Sequence, residues 1–293
     1  HAQFRRQRQM CIRDSYNYEL INRGTQTLYN TYFSQYLDAD IGNYTDDYVG
    51  CDVSRGLGYA LNGDLIDQAD GGKPGYGENP PAIGCDFFEG PYQDADDLDN
   101  PGPYFNEETG QMVVPSVTDA LANNGIVYKG VGIGYSDSII DNERFGMRRF
   151  TYYTSTSAPP YNDPSNAAEY YNFMQGNWAN GSDMFYGGLG YTGSTGASTV
   201  LSDYMFPGLS DPLNWATGGV DMSSAFPDGW FESTNNNPPA DRRFVQSAGP
   251  FTLKPGAINN ITVGIVFGRS TDGDLYASVE AMKQADTKAQ ALF

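Results

Sequence analysis

Strand formers and turn formers alternate along this chain in a pattern that few folds can use. From Tyr16 the residues read YNYELI, then NRGTQ, then TLYNTYFSQYLD, two runs of alternating aromatic and β-branched residues about an Asn-Arg-Gly turn. This predicts a β-hairpin or the start of a meander. The 293 residues include 22 Tyr, 35 Gly and 17 Pro, a balance that favours a folded β protein over disorder, which is poor in aromatics. The length exceeds a usual single domain, although β-sandwiches and barrels run past about 200 residues as one unit.

The rest of the chain extends this reading. Asp38 to Pro115 is dense in Gly, Pro, Asp and Asn, with strand-like islands at Leu57–Leu61 and Ile83–Phe88. Further strands are expected at Met147–Thr154, Arg243–Ser247, Phe251–Leu253 and Ile258–Arg269, with a second glycine- and aromatic-rich loop field at Gly181–Asn237. Two short helices are expected. One covers Ser116–Asn124, with Ser116 as N-cap and Gly125 after its end; the other covers Pro164–Trp178, with Asp163 before a first-turn proline. A third, amphipathic helix fills Asp274–Phe293, where Leu275, Val279, Met282, Ala285, Ala289 and Leu292 recur at three- and four-residue spacing. The expected fold is mainly β, a β-sandwich-like or multi-sheet antiparallel domain with long Gly/Asp/Asn-rich loops. No repeat of fixed period and no Ser/Gly linker interrupts it, so residues 16–293 are expected to form one domain.

Residues 1–15 differ in character from the remainder of the chain. They hold four of the chain's basic residues and only one acidic one, and the string RRQRQMCIRDS resembles a translated sequencing-adapter read-through at the end of a metagenomic gene fragment. They are set aside as a non-native or disordered leader. Over the whole chain 36 acidic residues oppose 17 basic ones, a formal charge of −19. Such a field repels phosphate backbones and anionic lipid, which disfavours nucleic acid as a partner. No run reaches the roughly 18 apolar residues that span a membrane as a helix, so direct membrane insertion is not expected. Outside the leader, Cys51 and Cys85 each sit in a Gly-Cys-Asp tripeptide. They fit either one disulfide or two buried free thiols, and no zinc spacing.

His1, in the leader, is the only histidine. That removes Ser-His-Asp and Cys-His nucleophiles, His-ligated zinc and histidine general bases together. Carboxylates are what remain. Asp38, Asp40, Asp46, Asp47 and Asp52 fall within one short stretch, and Asp94, Asp96, Asp97 and Asp99 within another beside Asn100. Like charges packed so closely are unfavourable unless solvated or neutralised, and Ca²⁺ takes six to eight oxygen ligands from loops of this kind. These nine aspartates are the candidate calcium ligands, with Asp137, Asp141, Asn142 and Glu143 as a weaker third group. Neither main cluster is an EF-hand: from Asp94 the sixth position is Asp99 where Gly is needed, and from Asp38 the fifth is Gly42. The competing reading is a set of polar turns whose side chains bond their own backbone. A hydrolase would need two carboxyls beside aromatic platforms, for which Glu143, Glu169 or Asp203 with Trp178, Trp215 and Trp230 are the candidates. Asp241-Arg242-Arg243 reads as a structural ion pair.

Several strings taken in order, INRGTQTLYNTYFSQYLDADIG, DDYVGCDVSRGLGYALNGD, NPPAIGCDFFEGPY, IIDNERFGMRRFTYY, DYMFPGLSDP and DRRFVQSAGPFTLKPGAINNITVGIVFGRS, resemble an uncharacterised region of large exported Bacteroidota proteins. Those proteins carry C-terminal sorting domains and use the type IX secretion system. The resemblance implies export to the cell surface or medium, a β-rich extracellular fold and further domains on the same parent chain. It supplies no activity and no catalytic residues. Together these readings lead us to expect a non-catalytic binding or structural module of a secreted or cell-surface protein, stabilised by Ca²⁺, with surface glycans or envelope proteins as partners. The alternatives are a carboxylate-dependent polysaccharide hydrolase and an architectural spacer.

Overall fold

The computed structural model describes residues 13–293 except 73, 103, 107–108, 110, 114–129, 157–158 and 236. The helix expected at Ser116–Asn124 lies outside the described residues. The strands are β1 Arg13–Ile21, β2 Leu28–Asp38, β3 Asp47–Asp52, β4 Leu57–Asn62, β5 Ile66–Asp67, β6 Gly77–Glu78, β7 Ala82–Glu89, β8 Tyr104–Asn106 and β9 Gln111–Val113. They continue with β10 Gly132–Ile133, β11 Arg144–Phe145, β12 Arg149–Thr154, β13 Phe185–Gly187, β14 Ala197–Leu201, β15 Arg242–Leu253 and β16 Ile258–Gly268. Two α-helices, α1 Ala167–Met174 and α2 Ala277–Gln290, and short 3-10 turns at Trp215–Thr217 and Glu232–Thr234 complete the regular elements among the described residues. The protein is mainly β, with several antiparallel sheets.

The five-stranded sheet runs β1-β16-β7-β4-β3 and the three-stranded sheet β12-β15-β2. They pack face to face. Phe33 meets Phe87 edge-on, and the Gly58 amide donates to Gln246 Oε1 across the gap at 2.9 Å. Glycine is required at 58 because a Cβ there would lie 2.5 Å from that oxygen and 2.8 Å from the Phe150 ring. Successive strand residues point to opposite faces, so β4 serves two cores. Ala60 joins Cys85, Phe87, Phe150, Phe244 and Val263 between the sheets, whereas Leu57, Tyr59 and Leu61 join Val266, Val279 and Met282 under α2. That double cover explains why all six residues of β4 are buried. The smaller α1 seats Phe173 on the other sheet, its ring stacked on Tyr153 at 5.0 Å.

Several expectations need correction. β1 and β2 do not form a hairpin: β1 pairs with β16 along its whole length, and β2 pairs with β15 in the other sheet. The link between them and the β15–β16 link form one shared corner. Asn22 Nδ2 donates to the Leu253 and Gln26 carbonyls, the Asn22 amide to Ala257 O and the Gly256 amide to Asn22 O. Arg13, Asp14 and Ser15, set aside with the leader, are in register opposite Val266, Ile265 and Gly264. The two strand pieces expected at 243–253 are one strand, β15, whose register against β2 shifts between Ala248 and Phe251. α1 is shorter than expected and is capped by Asn166, whose side chain accepts from the Ala168 and Glu169 amides, rather than by Asp163. Cys51 and Cys85 are free buried thiols, their pKa values raised by burial.

Candidate functional site

The carboxylates of the two aspartate stretches separate by what their oxygens meet. In the second stretch they act as turn-makers and latches. Asp96 Oδ1 accepts from the Leu98 amide and Asp99 accepts from the amides of Asp137 and Ser138. Asp141 Oδ1 accepts from the amides of Asp96 and Asp97, and Asp94 accepts from Thr252 N and Oγ1. Asp97 itself is an exposed residue at positive φ. This is the polar-turn chemistry of short side chains bonding backbone, extended across two loops.

In the first stretch, Asp52 is held by Lys283 Nζ at 3.1 Å and by Arg55 Nε at 3.7 Å. Asp38 and Asp40 meet Asp241, and among the described residues this is the one group of three or more whose carboxylate oxygens lie within 4.8 Å of one another. Arg243 already answers that charge, with Nε 3.0 Å from Asp38 and Nη1 3.2 Å from Asp241, which makes Asp241 and Arg243 the ion pair that the sequence suggests. Its neighbour Arg242 pairs instead with buried Glu232, Nε to Oε1 at 2.5 Å, and the second Glu232 oxygen accepts from the Val49 amide. Burial pushes the Glu232 pKa up to about 7 even against that arginine.

Asp46 and Asp47 are different. Asp47 is the first residue of β3 and is in register with Asn62, the last of β4, so the two side chains share a face. Both are buried, at 1% and 2% exposure. Asp47 Oδ2 accepts from the Ile41 amide, and Asn62 Nδ2 donates to the Asp64 carbonyl, which fixes the direction of each group. Asp47 Oδ1, Asn62 Oδ1 and Asp46 Oδ1 are all buried and meet no hydrogen-bond donor among the described residues. Burial, with the charges of Asp46, Asp40 and Asp67, pushes the Asp47 pKa up to about 8. Asp46 is raised as well, by burial and by Asp67 and Asp64. Asp67 closes the loop: its oxygens accept from the amides of Asn43 and Tyr76, and Gly42, at φ +63°, passes so close that a Cβ would lie 1.6 Å from Asp67 Oδ2. Asp46, Asp47 and Asn62, with Asp64 and Asp67 near them in the same loops, bring side-chain oxygens to this end of the sheet. Hard oxygen donors of this kind suit Ca²⁺.

A second constellation lies where α2 crosses the large sheet. Asp86 of β7 and Asp286 of α2 are 3% and 2% exposed and lie close enough to act on each other's charge. Burial and the Asp286 charge raise Asp86 well above the usual carboxylate range. Arg55 Nη1 donates to Thr287 Oγ1 at 2.6 Å and stands 3.9 Å from Asp286 Oδ2. These groups line part of a cavity of about 550 Å³.

The hydrolase residues do not assemble. Trp178, Trp215 and Trp230 are fully buried, with the Trp178 and Trp230 N–H groups donating to the Gly190 and Gly188 carbonyls, so none offers a platform. Glu143 is buried under the Asn100 loop, Glu169 accepts from Ser165 at the start of α1, and Asp203 pairs with Arg149 at 3.3 Å. Sequence spacing does not single out Asn62, Asp64, Asp67, Asp86 or Asp286. Asp286 carries a signal all the same, since it falls within the apolar stripe of α2 between Met282 and Ala289. No protein-family model matches the chain, and no curated protein or solved structure matches it either.

Proposed function

We propose that this chain is a non-catalytic binding or structural module of a secreted or surface-displayed bacterial protein, stabilised by a calcium ion held by Asp46, Asp47 and Asn62. The observation that carries this reading is the set of three buried, donor-less oxygens at the paired ends of β3 and β4. A buried polar atom without a partner destabilises by about 1–3 kcal/mol, and a divalent cation would satisfy all three at once. Export is proposed on the sequence strings that resemble exported Bacteroidota proteins, and it suits the strongly acidic composition. Surface glycans or envelope proteins are the proposed partners. Exposed tyrosines on β1 and β2, Tyr16, Tyr18, Tyr29 and Tyr36, offer rings to such a ligand along neighbouring sheet edges.

The non-catalytic reading is favoured over a glycosidase because Trp178, Trp215 and Trp230 are buried in the core and Glu143, Glu169 and Asp203 are each engaged in separate structural contacts. Glycosidases need two carboxyls about 5–9.5 Å apart beside an open sugar platform. Calorimetric titration of the whole chain with Ca²⁺ tests the cation site. Extracellular calcium modules bind in the range of about 0.1–1 mM, and binding in that range is expected, weakened at least about tenfold by Asp47→Asn, a loss of ~1.4 kcal/mol. Asp97→Asn should leave it unchanged. Absence of binding, or equal loss in the two variants, would reject the site.

A further inference from the structure

A second cavity, of about 370 Å³, opens in the glycine- and aromatic-rich segment after α1 and shares no residue with the cation site. It is of a size that holds a small organic molecule. Three turns build it. Asp211 accepts from the Trp215 and Ala216 amides at 2.9 and 2.8 Å, which folds that stretch back on itself and holds Asn214 at φ +56°. Gly208, at φ +57°, donates its amide to the Trp230 carbonyl, and the Phe226 amide donates to the Met222 carbonyl. Trp215 and Trp230 are themselves buried, so these turns rest on core.

Tyr186 of β13 lines the cavity and is 7% exposed, with its ring packed against Phe226 and Trp230 at 5.1 and 4.7 Å between centroids. Its hydroxyl meets no hydrogen-bond partner among the described residues, although a buried phenol usually finds one. Asn214, half-buried in the same lining, bonds through its backbone, while its side-chain amide is equally unengaged among the described residues. The carboxylates in the lining do not call for a cation. Asp211 is answered by the two amides already named, and Asp221 accepts from the Ser223 amide at 2.8 Å. No lysine or arginine is among the described residues that line the cavity.

These groups fit a ligand that donates and accepts together. The Tyr186 hydroxyl and the Asn214 amide can do both, and a carboxylate only accepts. An ammonium ion would offer donors alone and an anion acceptors alone, whereas a hydroxyl offers both. Carboxylates without a basic neighbour also repel an anionic ligand. Phe226, Met222 and the exposed Leu209 add apolar surface to the same lining, which suits a ligand with a C–H face as well as hydroxyls.

We propose that this cavity binds a neutral pyranose of a glycan, with Tyr186 and Asn214 as its hydrogen-bonding anchors and the apolar face of the sugar against Phe226. This rests on the reading of the chain as a glycan-binding module. No covalent bond changes.

The test is saturation-transfer NMR and calorimetric titration of the whole chain with methyl β-glucoside, methyl β-galactoside and methyl α-mannoside, and with methyl β-glucuronide as a charged counterpart. At least one neutral glycoside should bind with a Kd below about 10 mM, and the glucuronide should bind at least about tenfold more weakly than the best of them. Tyr186→Phe keeps the ring and removes the hydroxyl. Asn214→Gly removes the amide at a left-handed position that glycine adopts freely and leaves the core intact, so it stands as the test should Tyr186→Phe fail to fold. Each should weaken binding at least about threefold, as the loss of one hydrogen bond does. No binding of any neutral glycoside up to about 10 mM, glucuronide binding as tight as theirs, or binding unaltered by both substitutions would overturn the proposal. Binding that survives both but is lost when Tyr16 and Tyr18 are replaced by Ala would place the sugar on β1, which rejects the cavity and leaves the glycan-binding reading standing. Calcium titration of the same preparations separates the two accounts: calcium binding without sugar binding rejects the cavity alone, and absence of calcium binding rejects the cation-stabilised module.

Discussion

A carboxyl that faces an amide oxygen across two paired strands can settle in one of two ways: it keeps a proton, or it shares a cation. Asp47 opposite Asn62 is in that position. Its folded pKa is raised to about 8, while an unfolded aspartate ionises near 3.9. Between those values the folded state holds a proton that the unfolded state has released, so this group's contribution to stability falls as pH rises from about 4 to about 8. The slope approaches ~1.4 kcal/mol per pH unit in the middle of that window. Thermal unfolding in chelator should therefore lose stability from pH 5 to pH 8 more steeply in the wild type than in Asp47→Asn. Parallel profiles would show that Asp47 is ionised without a cation. The variant is the necessary reference because Glu232 and Asp86, also raised by burial, push in the same direction. Sequence spacing brings Asp47 and Asp97 forward with equal weight, as members of acidic runs. What separates them is burial opposite Asn62, fixed by strand pairing that no local pattern records.

The strands themselves are largely legible in the sequence, because aromatic and β-branched alternation is a local signal. The islands at Leu57–Leu61 and Ile83–Phe88 correspond to β4 and β7 with small changes at their ends. Pairing is not legible. β1 and β2 look like a hairpin in sequence, yet Asn22 bonds the end of β15 through its side chain and the β15–β16 link through its backbone, where the chain passes from one sheet into the other. Among helices, α2 is the clearest because its apolar stripe is long. Val279, Met282, Ala285 and Ala289 are all buried against the large sheet. Met282 is fully buried and lies against Gly84 and Gly268. Met282→Ala should destabilise the protein by about 2–5 kcal/mol through lost burial and the cavity left behind, read from denaturant unfolding. A change below about 0.5 kcal/mol, the range of ordinary surface substitutions, would mean that α2 is not an integral layer of the fold. The glycine-rich segment after α1 has the composition of loops and is built mostly of them. Its aromatic residues nevertheless form core, because Trp178 and Trp230 find carbonyl acceptors for their N–H groups inside that segment.

At the scale of the molecule, a chain of formal charge −19 folds into two facing sheets with a helix on each outer side. Most of its acidic groups are answered by backbone amides or by a few arginines and lysines. Among the described residues, one side-chain oxygen each of Asp46, Asp47 and Asn62 is not. The measurement that bears most directly on the cation site is thermal unfolding of the whole chain at pH 7 in calcium, in an equal concentration of magnesium, and in chelator. A ligand that binds only the folded state at about 100 times its Kd adds ~2.7 kcal/mol, which for a chain of this size corresponds to about 4 °C in Tm. Calcium should raise the wild-type Tm by that amount over chelator, magnesium should raise it less, and Asp47→Asn should lose the difference. Equal melting in calcium and chelator, or the same rise in Asp47→Asn, would contradict a calcium ion at the β3–β4 end.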